Sequence, residues 1–320
     1  MKRPVFVGID TSNYTTSVAV STIDGEVIAN LKQLLPVEGG ACGLRQSDAV
    51  FAHVKNLPIL MDSLKEILTD CEVRAVGVSS APRSQEGSYM PCFLSGVAAA
   101  STMAAGLGVP MYSFSHQEGH VMAALYSARA TERLIEGGAP FAAFHVSGGT
   151  TDVLLVTPHA VGFSISQVGG TKDINAGQAI DRTGVMMGLQ FPCGKELEAL
   201  ATSYQGTLPT PRICVKDGFC NLSGLQNLSE KLWEQTGDRC AVSAFVLSFV
   251  GKTLEAMTRD LDRAHPGLPI VYAGGVMGNR LLQALLGKRP DTYFADPAFS
   301  SDNAAGIALL CRRQYLHSEK

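Results

Sequence analysis

The chain has 320 residues, a length that suits one or two domains. It is 46% hydrophobic and 17% charged, with 33 glycines and 15 prolines. That excludes disordered and fibrous classes and suits an α/β protein with many tight turns. Lysine and arginine total 26 against 29 acidic residues, a net charge of −3. A globally basic, histone-like binder of nucleic acid is thereby excluded, although a local basic patch is not.

No continuous apolar run reaches the roughly 18 residues of a membrane span. The run Val5-Phe6-Val7-Gly8-Ile9 ends at Asp10 and is too short for a signal-peptide core. The eight cysteines (Cys42, Cys71, Cys92, Cys193, Cys214, Cys220, Cys240, Cys311) are scattered and form no C-x-x-C pair. The expectation is a cytoplasmic protein with reduced thiols and no cysteine-built zinc or iron–sulfur site.

Val5, Val7 and Ile9 alternate, Asp10 to Thr16 supply small polar turn residues, and Val18, Val20 and Ile23 resume the alternation. This reads as strand, tight turn, strand. Ala49 to Leu68 has the spacing of an amphipathic helix. Val73–Ser79 reads as a buried strand, Met90–Leu107 as a small-residue helix, and Val109–Phe114 as a short strand. That strand delivers the chain into Ser115-His116-Gln117-Glu118-Gly119-His120 and a helix to about Ala128. Phe141–Phe144, the turn Ser147-Gly148-Gly149-Thr150-Thr151-Asp152, and Val153–Val156 repeat the opening plan. Two such hairpins about 140 residues apart suggest an internal duplication. Helices are expected over Asn175–Met187 and Lys195–Tyr204, an irregular stretch over 205–228, and further helices over 229–265. A strand at Ile270–Tyr272 enters Ala273-Gly274-Gly275-Val276-Met277-Gly278-Asn279 and the helix Arg280–Leu286. Ser300-Ser301-Asp302-Asn303 has the side chains to cap a final helix, Ala304–Arg312. The chain divides into an N-terminal lobe, 1–138, carrying the H-x-x-x-H motif, and a C-terminal lobe, 139–320, carrying Gly-rich loops. A cleft is expected between them.

Three features carry chemistry. His116 and His120 lie four residues apart, so on a helix both imidazoles face one metal ion; an ordinary pair of exposed or capping histidines is the alternative. Glu118 sits off that face, unlike the glutamate of H-E-x-x-H peptidases. The turns at His145–Thr151 and Ala273–Asn279 offer backbone N–H groups and glycines to a nucleotide, or are merely structural turns. Neither is a Walker A loop. Asp10, Asp152, Asp181 and Asp302 stand beside small residues, where carboxylates hold metal-bound water or nucleotide hydroxyls; for Asp302 a helix cap is the alternative.

Two lobes opening on hydroxyl-rich hairpins resemble the actin/hexokinase/Hsp70-type (ASKHA) ATPase fold. Within it, seven motifs occur in the order of one family. They are Ser115–His120, His145–Gly149, Asn175–Asp181, Phe191-Pro192-Cys193-Gly194, Ser223-Gly224-Leu225, Ala273–Asn279 and Ser301-Asp302-Asn303. The set resembles the TsaD family, tRNA N6-threonylcarbamoyladenosine transferases once called O-sialoglycoprotein endopeptidases, and covers nearly the whole chain.

The resemblance implies that His116, His120 and Asp302 bind one divalent metal ion, iron or zinc. His145 stands where some members place a tyrosine ligand and is a candidate third imidazole. It implies that His145, Val146, Ser147, Gly148, Gly149, Asp181, Gly194, Glu198 and Asn279 hold an ATP/AMP-type nucleotide, the threonylcarbamoyl-adenylate. The implied reaction passes threonylcarbamoyl to N6 of adenosine 37 in ANN-decoding tRNAs, with TsaB- and TsaE-type protein partners and no membrane. No single catalytic residue is assigned.

The chain departs from the family in places. The first hairpin usually reads S-C-D-E-T; here it is Ser12-Asn13-Tyr14-Thr15-Thr16, without the two acids. A G-P-G stretch is replaced by Ser80–Gly87, Thr150 replaces a histidine or asparagine, and P-G-G is Pro192-Cys193-Gly194. A non-catalytic or altered-substrate nucleotide- and metal-binding paralogue is therefore the alternative to the transferase. A metallopeptidase lacks a general base on the metal face, and a sugar kinase would not need the histidine pair. For tRNA phosphates, Lys288-Arg289 and Arg312-Arg313 are candidate contacts, with solvated surface charge as the alternative.

Overall fold

A computed structural model describes residues 2–12, 14–36, 44–300 and 303–320. The elements run β1 (Arg3–Ser12), β2 (Thr15–Thr22), β3 (Val27–Leu34), α1 (Gln46–Ile67), β4 (Cys71–Ala81), α2 (Phe93–Leu107), β5 (Met111–Ser115) and α3 (His116–Ser127). Then come β6 (Phe141–Val146), β7 (Thr151–Pro158), β8 (Phe163–Thr171), α4 (Ala176–Met186), α5 (Gly194–Ser203), β9 (Cys214–Lys216), β10 (Phe219–Asn221) and α6 (Gly224–Thr236). The chain ends with α7 (Arg239–Ala264), β11 (Ile270–Ala273), α8 (Arg280–Leu286), β12 (Thr292–Phe294) and α9 (Ala305–Ser318).

The first compact unit comprises residues 1–138, 158–165 and 299–320, and the second 139–157 and 166–298. The first unit holds the sheet β3-β2-β1-β4-β5. Its central strand β1 is antiparallel to β2 and parallel to β4. Val5, Val7 and Ile9 face α1 and α2 with Val18, Val20, Leu57, Leu60, Leu64 and Ala100. Each fully buried Val, Ile or Leu side chain among them stabilises the fold by about 1.5–3 kcal/mol.

The other face of β1 is covered by α9, which also touches β2, β4 and α3. The sequence-based division placed this helix in the second lobe; the structure groups it with the first. Small residues explain the fit: a Cβ on Gly306 would fall on the Gly119 carbonyl of α3. No pattern within α9 itself reveals which sheet it covers.

The second unit holds the sheet β12-β11-β6-β7-β8-β10-β9. Taken from β8, its strands follow the order β8-β7-β6-β11-β12, the same plan as β3-β2-β1-β4-β5 in the first unit. In both, a central strand pairs antiparallel with its successor and parallel with a later strand. The duplication inferred from the two hairpins is thus present as repeated topology. The stretch 205–228, expected to be irregular, instead contributes β9 and β10 and begins α6. Those strands have three residues each, too short for a period to be read.

Helix α7 has 26 residues and is long and apolar enough to cross a membrane by length and composition. Val242, Phe245, Val246, Val250, Leu254 and Met257 on it are buried in the core of the second unit. The seven cysteines among the described residues are all free thiols; Cys42 lies outside them.

Candidate functional site

The histidine pair sits at the start of α3. Ser115 caps the helix: its Oγ accepts from Glu118 N (3.2 Å), and Glu118 Oε2 accepts from Ser115 N (2.9 Å). This reciprocal cap fixes the first turn and spends Glu118, which also accepts from the Ser84 hydroxyl (2.7 Å). Glu118 is therefore a structural carboxylate, as its position off the metal face implied. His116 and His120 fall on one face, their rings edge-on with centroids 4.3 Å apart. Their Nε2 atoms meet at 2.8 Å.

The other nitrogen of His116, Nδ1, lies 2.8 Å from Asp10 Oδ2. Asp10 lies on β1, two residues before the strand ends at Ser12, and is 1% exposed. Its Oδ1 accepts from Ser12 N (2.9 Å). Sequence reading placed Asp10 against a metal-bound water or a nucleotide; the structure places it against His116. Two imidazole nitrogens converging on one point are a donor set that fits zinc or iron(II). Among the described residues no group of three or more His, Cys, Asp or Glu side chains converges. Asp302, the expected third ligand, lies outside the described residues, as does its neighbour Ser301.

The hairpin is tied to both covering helices. Thr11 Oγ1 donates to Cys92 O (3.0 Å) and accepts from Gly96 N (3.0 Å). Thr16 Oγ1 lies 2.8 Å from His53 Nδ1 and accepts from Asn56 Nδ2 (3.1 Å). His53 is fully buried and its Nε2 has no hydrogen-bond partner. Burial pushes its pKa down, with the Asp10 charge and the Ser12 backbone opposing. Sequence reading passed over His53, which sits on α1 at a core position; a lone histidine in an apolar stripe was the available signal.

The candidate nucleotide residues all belong to the second unit. After β6, Ser147 N donates to Thr150 O (2.7 Å), closing the turn. The Ser147 hydroxyl accepts from Thr150 N (3.1 Å). The turn lies on the start of α4, where Gly177 N donates to Ser147 O (3.0 Å) and Ala176 N to Thr151 Oγ1 (2.9 Å). No heavy atom crowds the side-chain positions of Gly148 and Gly149, so a ligand can approach that backbone. Neighbouring β11 runs parallel to β6, with Ala273 opposite His145. Gly274 follows at φ +99°, and a Cβ there would fall on the Val146 carbonyl. The turns after β6 and β11 therefore sit side by side at the carboxyl ends of parallel strands, the usual ligand edge of an open α/β sheet.

Asp181 on α4 accepts from Cys193 N (2.8 Å), joining it to the turn before Gly194 and α5. Burial pushes its carboxyl up, opposed by that bond. Glu198 on α5 accepts from Arg280 N (2.7 Å), and Asn279 Oδ1 accepts from Leu281 N and Leu282 N (3.0 and 3.1 Å). Both thus serve the start of α8. His145 is half-buried on β6, opposite Asp152 of β7; Asp152 in turn accepts from Gln167 Nε2 (2.9 Å).

In the two basic pairs Lys288 is exposed, while the three arginines bond to neighbouring residues. Arg289 forms a bidentate pair with Asp262 and donates to Leu268 O. Arg312 donates to Ile23 O, and Arg313 to Val161 O and Ala160 O. These bonds anchor Arg289, Arg312 and Arg313 to neighbouring backbone and carboxylate groups and fix where their charge sits.

The family profile for tRNA N6-adenosine threonylcarbamoyltransferase matches residues 22–309. A protein of that name from Streptococcus suis (strain 05ZYH33) is 29% identical over 326 residues, covering 98% of this chain and 94% of the relative. Another, from Streptococcus pneumoniae (strain Taiwan19F-14), is 30% identical over 322 residues, covering 96% and 91%. Among solved structures, the activator of the 2-hydroxyisocaproyl-CoA dehydratase from Clostridium difficile with bound ADPNP superposes with a TM-score of 0.53 at 12% identity. It covers 98% of this chain and 97% of the activator. That likeness shows the fold, the expected two-lobed ASKHA type. The profile match and the full-length relatives together make this chain a member of the TsaD family, the tRNA N6-adenosine threonylcarbamoyltransferases.

Proposed function

We propose that this protein transfers a threonylcarbamoyl group from threonylcarbamoyl-AMP to N6 of adenosine 37 in tRNAs that read ANN codons. The observation that carries the reading is the family match across residues 22–309, with the facing His116–His120 pair in place. N6 of the adenosine attacks the carbamoyl carbon. The bond from that carbon to the AMP phosphate oxygen breaks, AMP leaves with the electron pair, and N6 gives up one proton. N6 is a weak nucleophile, so positioning counts for more than a strong base.

The backbone of Ser147, Gly148 and Gly149, laid on the start of α4, is suited to phosphate oxygens. Asp181 and Gly194 would border the nucleoside, while Glu198 and Asn279 order α8 beside it. His116, His120 and Asp302 would hold an iron or zinc ion, with His145 a further candidate, and a metal there would polarise the carbamoyl oxygens. TsaB- and TsaE-type partners and a cytoplasmic location complete the proposal.

One observation favours a second reading. Tyr14 and Thr15 stand where the family carries acids, and Thr15 is only 3% exposed, so no carboxylate is supplied there. A paralogue that binds nucleotide and metal but has lost or changed its transfer chemistry would look like this. The deciding experiment mixes the protein with preformed threonylcarbamoyl-AMP, unmodified ANN-decoding tRNA and TsaB- and TsaE-type partners. Modified adenosine that disappears with His116→Ala establishes the transferase. No product from a protein that still binds metal and AMP establishes the paralogue.

A further inference from the structure

The carboxylate of Asp10 is shut away from water at 1% exposure, where an ionised group persists only with its oxygens satisfied. Both are. Oδ1 takes the Ser12 N–H at 2.9 Å, and Oδ2 faces His116 Nδ1 at 2.8 Å. The strand beneath is held as well, since Asp10 is in register with Ser17 of β2 and the Ser17 hydroxyl donates to Asp10 O (3.3 Å). A carboxylate has no proton to give, so the proton in the Asp10–His116 bond belongs to Nδ1. In a neutral imidazole that leaves the lone pair on Nε2, the atom that faces His120 Nε2 at 2.8 Å. The Phe93 ring packs edge-on against the His116 ring, with centroids 6.0 Å apart, and limits its rotation.

We propose that Asp10 is a positioning residue: it locks His116 in the Nδ1–H tautomer and so reserves the Nε2 lone pair for the point shared with His120. The inference rests on the metal reading given above and not on the identity of the substrate. A carboxylate behind a ligating histidine typically changes metal affinity 10–100-fold. The hairpin lacks the family's acidic pair at Tyr14 and Thr15 but carries Asp10 on β1, which separates holding the histidine pair from any chemistry the missing acids served.

The test is made on the full-length, metal-free protein. Long-range proton–nitrogen NMR of the histidine rings, with His116 assigned from the spectrum of His116→Gln, should show His116 protonated at Nδ1 and not at Nε2. A His116 ring in the Nε2–H form overturns the proposal without any variant of Asp10. Zinc and iron(II) affinities are then measured by chelator competition, with far-UV circular dichroism reporting the fold. Asp10→Asn should weaken both ions about tenfold and Asp10→Ala up to about a hundredfold, and the Nδ1–H signal should be lost in Asp10→Ala. Unchanged affinity in either folded variant overturns the proposal, and so does a wild-type protein that holds neither ion at micromolar concentration. If Asp10→Ala fails to fold, the wild-type spectrum and Asp10→Asn still decide. Because none of these readouts needs tRNA, Asp10-dependent metal affinity without transfer removes the transferase reading and leaves this inference standing.

Discussion

Glu198 on α5 accepts a hydrogen bond from the backbone N–H of Arg280, 2.7 Å away, at the first residue of α8. Asn279 caps the same helix end through the next two N–H groups. Two residues expected to touch a nucleotide also brace a third element. Removing either leaves N–H groups of α8 unsatisfied, at about 1 kcal/mol for a lost cap. Because both serve one helix end, Glu198→Ala and Asn279→Ala should not add. The double variant, followed by urea unfolding, should lose clearly less than the sum of the singles. Strict additivity would show that the two side chains act separately.

Gly306 of α9 lies against the Gly119 carbonyl of α3 with no room for a Cβ. Overpacking against side chains costs about 1–3 kcal/mol, and here the obstacle is backbone, which yields less. Gly306→Ala should destabilise the protein by about 3 kcal/mol. The control, Gly106→Ala, sits on α2 where no heavy atom crowds the added methyl; it should be neutral or stabilising. Equal urea midpoints for the two variants would contradict the packing described.

His53 is buried without a partner at Nε2, and burial lowers its pKa below the ordinary 6.5. The unfolded chain takes up this proton first as pH falls. The stability His53 contributes is therefore present above about pH 6.5 and is lost progressively below it, at no more than about 1.4 kcal/mol per pH unit for one proton. The stability difference between wild type and His53→Leu should shrink between pH 7 and pH 5.5. A difference that stays constant with pH would mean His53 does not titrate in that range.

Asp173, in the turn between β8 and α4, accepts from Ile174 N, Leu222 N, Ser223 N and the Ser223 hydroxyl. Burial alone would raise its pKa, but these bonds outweigh it and hold the carboxyl well below the ordinary 3.8. Here the folded state resists protonation, so its contribution is present above about pH 3.8 and is lost as pH falls below that value. The group is largely exposed, and screening reduces its worth to about 1 kcal/mol. Asp173→Asn should lower the melting temperature by a few degrees at pH 7 and make almost no difference near pH 2. The His53 and Asp173 effects thus occupy separate pH windows.

The parts of the fold that were legible in the sequence are those set by local pattern. The two hydroxyl-rich hairpins gave the duplication, the i, i+4 spacing gave the facing His116 and His120, and Arg280–Leu286 was read with its observed limits. What escaped depends on contacts distant in sequence. Asp10 meets His116 across 106 positions and Arg280 meets Glu198 across 82. Arg289, Arg312 and Arg313 look like surface charge until the partners that occupy them are seen. Nothing in the composition of α9 says which sheet it covers, because Ala and Gly suit any close approach.

The placement of α9 also sets the order in which the protein can mature on the ribosome. The strands β1, β2 and β4 are made before the second unit, yet the helix that covers one of their faces is made after it. The first unit must wait, partly uncovered, while residues 139–157 and 166–298 of the second are translated, and at rates of about 5–20 residues per second that wait lasts on the order of ten seconds. The nascent chain offers chaperones an apolar sheet face for that interval, and a ribosome stalled late in the message would strand it there.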